Sequence, residues 1–307
     1  MAVRGRFAPT PSGRMHLGNL MAALLAWLDV RSQGGVMVLR IEDLDPQRTS
    51  LAWAQQLADD LRWLGLDWDE GGLEPDWRQS CRGAYYQAAF DKLRGLGLVY
   101  PCYCSRAQRL AAGAPHGGEE GGAGCRCLHL SPAERAAREE AGRRPAWRVR
   151  APGETVTVVD GHLGPYAQDL ARDCGDFILR RSDGVWAYQL AVVVDDGLMG
   201  INRVVRGADL LPSAPRQAWL HRLLGHPPPQ FCHLPLLVDE SGRRLAKRDR
   251  DLDLEALRAR HSPQELTGYL AWLAGLLPER ESVTPAQLIP LFSWAKVPKK
   301  EIVAPAP

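Results

Sequence analysis

The chain has 307 residues, 45% of them hydrophobic and 24% charged, with a formal net charge of +2. That composition excludes a disordered chain, and the length suffices for one large domain or two smaller ones. The near-neutral balance excludes a generally basic nucleic-acid coat, leaving a local patch as the only form an RNA footprint can take. No apolar run is long enough to cross a bilayer and no leader pattern precedes the first strand, which points to a cytoplasmic protein.

Val3–Ala8 reads as a buried strand, and Pro9 and Pro11 keep the next turn out of helix. A helix is predicted from His16 to Gln33, with Leu17, Leu20, Leu24 and Leu28 at helical spacing, so one face is buried. Val36–Ile41 is a second apolar run, ending in the acidic turn Glu42-Asp43-Leu44-Asp45-Pro46. Strand, glycine-bearing turn, helix and strand make a βαβ unit, hence a parallel sheet whose strand ends and helix N-terminus face one crevice. Helices are predicted over Thr49–Leu64 and Arg78–Leu96. An insertion follows at about Val99–Arg144, holding four cysteines and a tract rich in Gly and Glu from Gly113 to Gly124. Trp147–Val159 reads as short strands, and Phe177–Arg181 with Val185–Ala187 as a hairpin around Asp183-Gly184. Val204–Gly207 is a strand end returning to the sheet, Ser213–Leu224 is helical, and the pattern beyond Asp251 is helical, punctuated by Pro263, Pro278 and Pro285. The expected fold class is α/β, divided at 1–98 and 151–250 (two halves of one catalytic domain), 99–150 (the insertion) and 251–307 (a helical region).

Two distant stretches suggest one ATP-activating site. The first, Pro9-Thr10-Pro11-Ser12-Gly13-Arg14-Met15-His16-Leu17-Gly18-Asn19, is a tight turn opening a helix. A helix N-terminus offers N–H groups and a positive dipole end to phosphate, and Gly13 and Gly18 permit close backbone approach. His16 can donate to a phosphate oxygen where charge builds up, and Asn19, one turn on, can do likewise. Taken alone, the turn is equally an ordinary helix cap. The second stretch is the basic loop Arg243-Arg244-Leu245-Ala246-Lys247-Arg248, in which Lys247 is a compact point charge suited to a pentavalent phosphate. Taken alone, that loop is a solvated or RNA-contacting charge run. Together they point to formation of an acyl-adenylate.

These residues resemble the class I aminoacyl-tRNA synthetases. His16-Leu17-Gly18-Asn19 is similar to their HIGH motif and Arg244-Leu245-Ala246-Lys247-Arg248 to their KMSKS motif. Arg6–Gly13, Arg40–Arg48, Tyr188–Asp196 and Val205–Asp209 are similar to the glutamyl branch, and the resemblance runs from about Arg4 to the C-terminal helices. It implies a Rossmann-like nucleotide-binding domain with a parallel sheet, an inserted subdomain stapled by zinc, and a short C-terminal helical region. It implies ATP with its Mg²⁺ held by His16, Gly18, Asn19 and Lys247. Glutamate is then held by Arg6, Ala8, Ser12, Glu42, Tyr188 and Arg206, the two arginines clamping carboxylates and Glu42 taking the ammonium. On the residues alone, Arg6 and Glu42 can pair with each other across adjacent strands, and Tyr188 can be a core aromatic. Two positions depart from the family pattern: Ala246 replaces a hydroxyl residue and Arg244 a lysine, which bears on the speed of loop closure. The chain stops some sixty residues past the basic loop, where full glutamyl enzymes continue into an anticodon-binding region. It therefore resembles their short paralogue, which transfers glutamate to queuosine in the anticodon of tRNA(Asp). Rival readings are a divergent enzyme charging the 3′ end of tRNA(Glu), a small-molecule adenylate-forming ligase, and a non-catalytic RNA-binding paralogue. The sequence sets no oligomeric state and is compatible with a monomer.

Seven cysteines in a chain of this kind argue for metal or free thiols over disulfides. Cys102-Tyr103-Cys104 and Cys125-Arg126-Cys127 can close a tetrahedral, structural zinc site. The short paralogue commonly uses Cys-x-Cys, a tyrosine and one further cysteine. No tyrosine precedes Cys125 here, so Cys127 is the expected replacement, with His116 and His129 as alternatives. The plain alternative is four free thiols. Cys81, Cys174 and Cys232 read as buried small apolar residues.

Overall fold

The computed structural model describes residues 2–104, 125–243 and 253–305. Strand β1 (Arg4–Phe7) leads through the proline turn to helix α1 (Leu17–Arg31) and strand β2 (Val36–Leu39). β1 and β2 pair in parallel with Arg6 opposite Val38, so the βαβ unit is present as expected. The helix lies close on its strand because residue 5 is glycine: a Cβ there would sit 2.3 Å from Val30 Cγ2. Helix α1 is buried on nearly every side, where the leucine spacing had pointed to one buried face. The other side is covered by Leu254, Leu257, Leu266, Tyr269 and Leu270 from the C-terminal helices, which join the same core. Leu17, Leu20, Leu25 and Leu28 are fully buried; burial of each contributes roughly 1.5–3 kcal/mol.

Helix α2 (Leu51–Trp63) starts at Ser50, whose hydroxyl accepts the Trp53 N–H, and leads to the edge strand β3 (Glu70–Gly71). The stretch expected as one helix from Arg78 is divided. Short 3-10 turns at Pro75–Trp77 and Gln79–Cys81 precede helix α3 (Gly83–Gly95). The cause is tertiary: Ile41 N–H bonds to Trp77 O and Gln79 N–H to Ile41 O, so this chain pairs with the end of β2 before it can turn helical.

The insertion and its sequel form strand β4 (Val99–Cys102), helix α4 (Pro132–Glu140), and strands β5 (Ala146–Val149), β6 (Thr155–Asp160), β7 (Gly164–Asp169) and β8 (Phe177–Arg180). β4, β5 and β8 make an antiparallel sheet, and β6 and β7 a separate ribbon. The expected hairpin turns at Asp183-Gly184, with Arg181 N–H bonded to Val185 O at 2.8 Å. Its return limb shrinks to one bridge, Arg180 to Trp186, because the chain enters helix α5 (Tyr188–Leu198) at once.

Strand β9 (Arg203–Gly207), helix α6 (Ala214–Leu224) and strand β10 (Gln230–Leu234) complete a five-stranded parallel sheet, in the order β10-β9-β1-β2-β3. The chain winds one way from β1 to β3 and the other way from β9 to β10. β1 and β9 therefore flank the switch point, where open α/β sheets place a ligand crevice beyond the strand C-termini. Past it, β11 (Leu237–Val238) pairs in parallel with β12 (Ile302–Val303), and helices α7 (Leu254–Arg258), α8 (Pro263–Leu273) and α9 (Pro285–Leu288) pack on α1 and α2. Among the described residues, no helix is long and apolar enough to cross a membrane.

Candidate active site

At the switch point the strand ends carry buried charge. Arg6 on β1 and Arg206 on β9 are each 5% exposed, and Glu42, just past β2, is 8% exposed. Arg6 Nη1 donates to the carbonyl of Val205, next to Arg206, at 3.4 Å, and its Nε lies 3.6 Å from Asp196 Oδ1. That Nε is buried with no hydrogen-bond acceptor among the described residues. The direct Arg6–Glu42 pair is not formed: Glu42 Oε1 takes Arg40 Nη2 at 3.1 Å. Arg40, fully buried, also donates from Nη1 to Asp196 at 2.7 Å and lies 3.9 Å from Asp195. Burial works against the Arg40 cation, but Asp196, Glu42 and Asp195 outweigh it and hold its pKa above the ordinary value. For Glu42 burial dominates instead and raises the carboxyl pKa. Asp195 is further held by Arg82 Nε at 2.7 Å, Gln79 Nε2 at 2.8 Å and the Tyr86 hydroxyl at 2.9 Å. Asp195 and Asp196 stand in the block Tyr188–Asp196, yet no role follows for them from spacing. Two acids closing the apolar run Leu190–Val194 were the available signal, since a buried carboxylate needs a partner.

Arg206 has a different environment. Its Nε donates to His233 Nε2 at 3.0 Å, Nη1 to Gln217 Oε1 at 2.7 Å and to the Tyr188 hydroxyl at 3.4 Å, and Nη2 to Leu210 O at 3.3 Å. Tyr188 is the first residue of α5 and half-buried, and its hydroxyl is brought to the switch point by its contact with Arg206 on β9. Burial lowers the Arg206 pKa. His233 Nδ1 lies 2.6 Å from Asp160 Oδ2, and burial holds its pKa below the ordinary histidine value. A neutral imidazole with its proton on Nδ1 satisfies both contacts. Asp160, His233 and Gln217 are absent from the sequence-derived site.

His16 is the N-cap of α1. Its Nδ1 accepts the Gly18 N–H at 3.1 Å, while Asn19 Oδ1 accepts the His16 N–H at 3.2 Å, a reciprocal capping box. The cap places the imidazole proton on Nε2. It also engages the Gly18 amide, and Asn19 N–H bonds to His16 O at 2.8 Å. Gly18 gives the ring room, since a Cβ there would lie 3.1 Å from His16 Cε1. Ala8 follows β1, and Ser12 sits in the turn with its N–H on Thr10 O. The turn is tied to the end of β2 through Glu42 N–H on Pro9 O at 3.0 Å. Lys247 lies outside the described residues. The chain that follows it returns to the histidine turn: Asp253 bridges His16, Leu254 N–H bonds to Met15 O at 2.9 Å, and Arg14 pairs with Glu255.

Cys102, Cys104, Cys125 and Cys127 converge with their sulfurs within 4.8 Å of one another. Sulfur–sulfur separations of 3.5 Å join Cys102 to Cys125, and Cys104 to Cys125 and Cys127. A tetrahedral zinc with ~2.3 Å bonds sets its sulfurs about 3.8 Å apart, so the four residues fit a closed structural site. Burial raises the Cys102 and Cys104 pKa values, so a cation is what would hold these thiols ionised. His129 is outside the cluster and His116 outside the described residues. The Tyr103 hydroxyl donates to Glu139 at 2.6 Å. Cys174 and Cys232 are buried as expected; Cys81 is exposed at the end of a 3-10 turn, which corrects its assignment to the core.

The parallel sheet with its switch-point crevice, the histidine turn and the inserted cysteine cluster define a class I aminoacyl-tRNA synthetase catalytic domain, a ligase-type enzyme. The chain belongs to the family described as tRNA synthetases class I (E and Q), catalytic domain, which it matches over residues 2–301. It is 49% identical over 313 residues to the glutamyl-Q tRNA(Asp) synthetase of Nitratidesulfovibrio vulgaris, covering 99% of this chain and 96% of that one. It is 42% identical to the protein of the same name from Neisseria meningitidis serogroup B, covering 98% and 99% of the two chains. Among solved structures it is similar to a glutamate tRNA ligase from Elizabethkingia meningosepticum in complex with its amino acid. The TM-score is 0.83 at 26% identity, over 100% of this chain and 68% of that chain.

Proposed function

We propose that the protein activates L-glutamate with ATP and transfers it to the queuosine base in the anticodon of tRNA(Asp). The observation that carries the amino-acid assignment is a pair of buried arginines at the switch point, Arg6 and Arg206, neither of which is hydrogen-bonded to a carboxylate among the described residues. Glutamate brings two carboxylates, one for each, and one ammonium. Arg6 and Arg206 take its carboxylates, Glu42 its ammonium, and Tyr188 and Ser12 lend hydroxyls, while Ala8 leaves space beside β1.

The α-carboxylate of glutamate attacks the ATP α-phosphorus and pyrophosphate leaves. His16 Nε2–H and Lys247 meet the phosphates, with Asn19 and Gly18 shaping the turn, and ATP brings its own Mg²⁺. A hydroxyl of the queuosine ring then attacks the mixed anhydride, releasing AMP. Positioning and charge stabilisation do the work, with no covalent enzyme intermediate. The return of the chain at Asp253 to His16 supports a Lys247 that reaches the same nucleotide. The tRNA assignment is supported by the names of relatives matched over nearly their full lengths. The four clustered cysteines hold a structural zinc that staples the insertion.

The test is incubation with ATP, labelled glutamate and tRNA(Asp), with and without queuosine. Label is expected only on the queuosine-bearing tRNA(Asp); label at the 3′ end of tRNA(Glu) overturns the assignment. Lys247→Ala should abolish glutamate-dependent ATP–pyrophosphate exchange, and an unchanged exchange rate removes its role.

A further inference from the structure

We propose that Gln217 and His233, the latter locked by Asp160, are positioning residues that hold Arg206 with neutral acceptors alone, so that its charge stays available to the substrate carboxylate. The inference rests on the reading of Arg206 as a glutamate clamp. Arg40, Arg82 and Arg203 are each met directly by a carboxylate: Arg40 by Asp196, Arg82 by Asp195, and Arg203 by both oxygens of Asp29 at 2.6 and 2.8 Å. Among the described residues, every acceptor on Arg206 is uncharged: an imidazole nitrogen, an amide oxygen, a phenol and a backbone carbonyl. A guanidinium paired with a protein carboxylate is already neutralised and gains little from a second one. One held by neutral groups is fixed in place with its electrostatic attraction intact.

Each acceptor is itself fixed. Asp160 takes the N–H groups of His162 at 2.9 Å, Leu163 at 2.8 Å and His233 at 3.1 Å, and accepts from His233 Nδ1. That pins the proton on Nδ1 and leaves the Nε2 lone pair facing Arg206. The only carboxylate in this chain of contacts is thus an imidazole's width from the guanidinium. Gln217 must turn its amide oxygen to Arg206, because a guanidinium only donates, and this leaves its Nε2 to donate to Gln189 Oε1 at 2.9 Å, with Gln189 Nε2 then bonded to Ser213 Oγ at 3.1 Å. Register on the sheet sets the geometry: His233 on β10 lies directly opposite Arg206 on β9.

The test separates support from neutralisation. Gln217→Glu keeps an acceptor of the same size at the same place but makes it anionic. If Gln217 merely supports structure, glutamate there serves at least as well. The cradle instead requires that KM for glutamate in pyrophosphate exchange rise about ten-fold or more, the scale of one charge-assisted hydrogen bond, with KM for ATP within about two-fold. His233→Gln, whose amide oxygen replaces Nε2 as acceptor, should stay within about three-fold of the parent, while His233→Leu should lose about ten-fold in KM for glutamate. Thermal melts establish that each variant folds, and the His233 pair decides the matter if Gln217→Glu does not. An unchanged KM in Gln217→Glu, or equal effects of the two His233 variants, overturns the cradle. If Arg206→Ala still raises KM for glutamate, the clamp survives that outcome; if Arg206→Ala leaves it unchanged, clamp and cradle fall together.

Discussion

Replacing Arg40 by methionine removes the cation at the centre of the buried charge cluster while keeping a long side chain. The variant strands Glu42 and Asp196. Glu42 loses its hydrogen bond from Arg40, and among the described residues Asp196 keeps only the Arg6 ion pair at 3.6 Å. Asp195 suffers less, because Arg82, Gln79 and Tyr86 still hold it. Removing one partner of a buried pair costs about 3–5 kcal/mol, and the surviving contacts place this site near the lower end. A loss of about 3 kcal/mol lowers the melting midpoint by about 5 °C in a chain of this size. The pH dependence has a definite sign. In the parent, burial opposes ionisation of Asp196, but Arg40 and Arg6 outweigh it and depress its pKa. It therefore contributes stability above the ordinary carboxylate range that is lost as pH falls through the folded value. In Arg40→Met, burial raises the pKa of both Asp196 and Glu42, and protonation relieves the cost. The deficit against the parent is then largest at pH 7 and shrinks toward pH 5. Urea unfolding followed by tryptophan fluorescence at both pH values measures it. A deficit under about 1 kcal/mol at pH 7, or one that grows as pH falls, refutes the reasoning.

His16→Asn keeps a good N-cap but removes the Nε2–H; the rate of glutamate activation should fall about 10²–10³-fold with little change in melting temperature, and an equal loss in stability and rate would reassign His16 to the cap alone. Cys104→Ser should lower bound zinc, read by metal analysis of the purified protein, and speed proteolysis within 99–150; a parent that binds no zinc in zinc-supplemented buffer refutes the metal site. Gly5→Ala sets a Cβ 2.3 Å from Val30 Cγ2 and should cost about 1–3 kcal/mol by thermal melting; a neutral result means that α1 can shift on its strand.

What was legible in the sequence was what neighbours in the chain determine. The βαβ start, the histidine turn and the paired Cys-x-Cys motifs are local patterns, and the structure places Arg6, Glu42, Tyr188 and Arg206 at one end of one sheet. What escaped was set by contacts across long separations. His233 reaches Arg206 over 27 residues and Asp160 over 73, and no periodicity links them. The late start of the helix expected from Arg78 has the same origin, since pairing with Ile41 won over helical propensity at Gln79. The wrapping of α1 was foreshadowed by the unbroken apolar run Met21–Leu28, interrupted by no polar side chain, which a one-faced helix does not need.

That wrapping limits how far the molecule can be pared down. A shortened version stopping ahead of Leu254 would bare the oily flank of its central rod and invite clumping long before any catalytic group was touched. Anyone seeking a minimal catalytic unit must either keep those last helices or repaint the exposed flank with polar side chains.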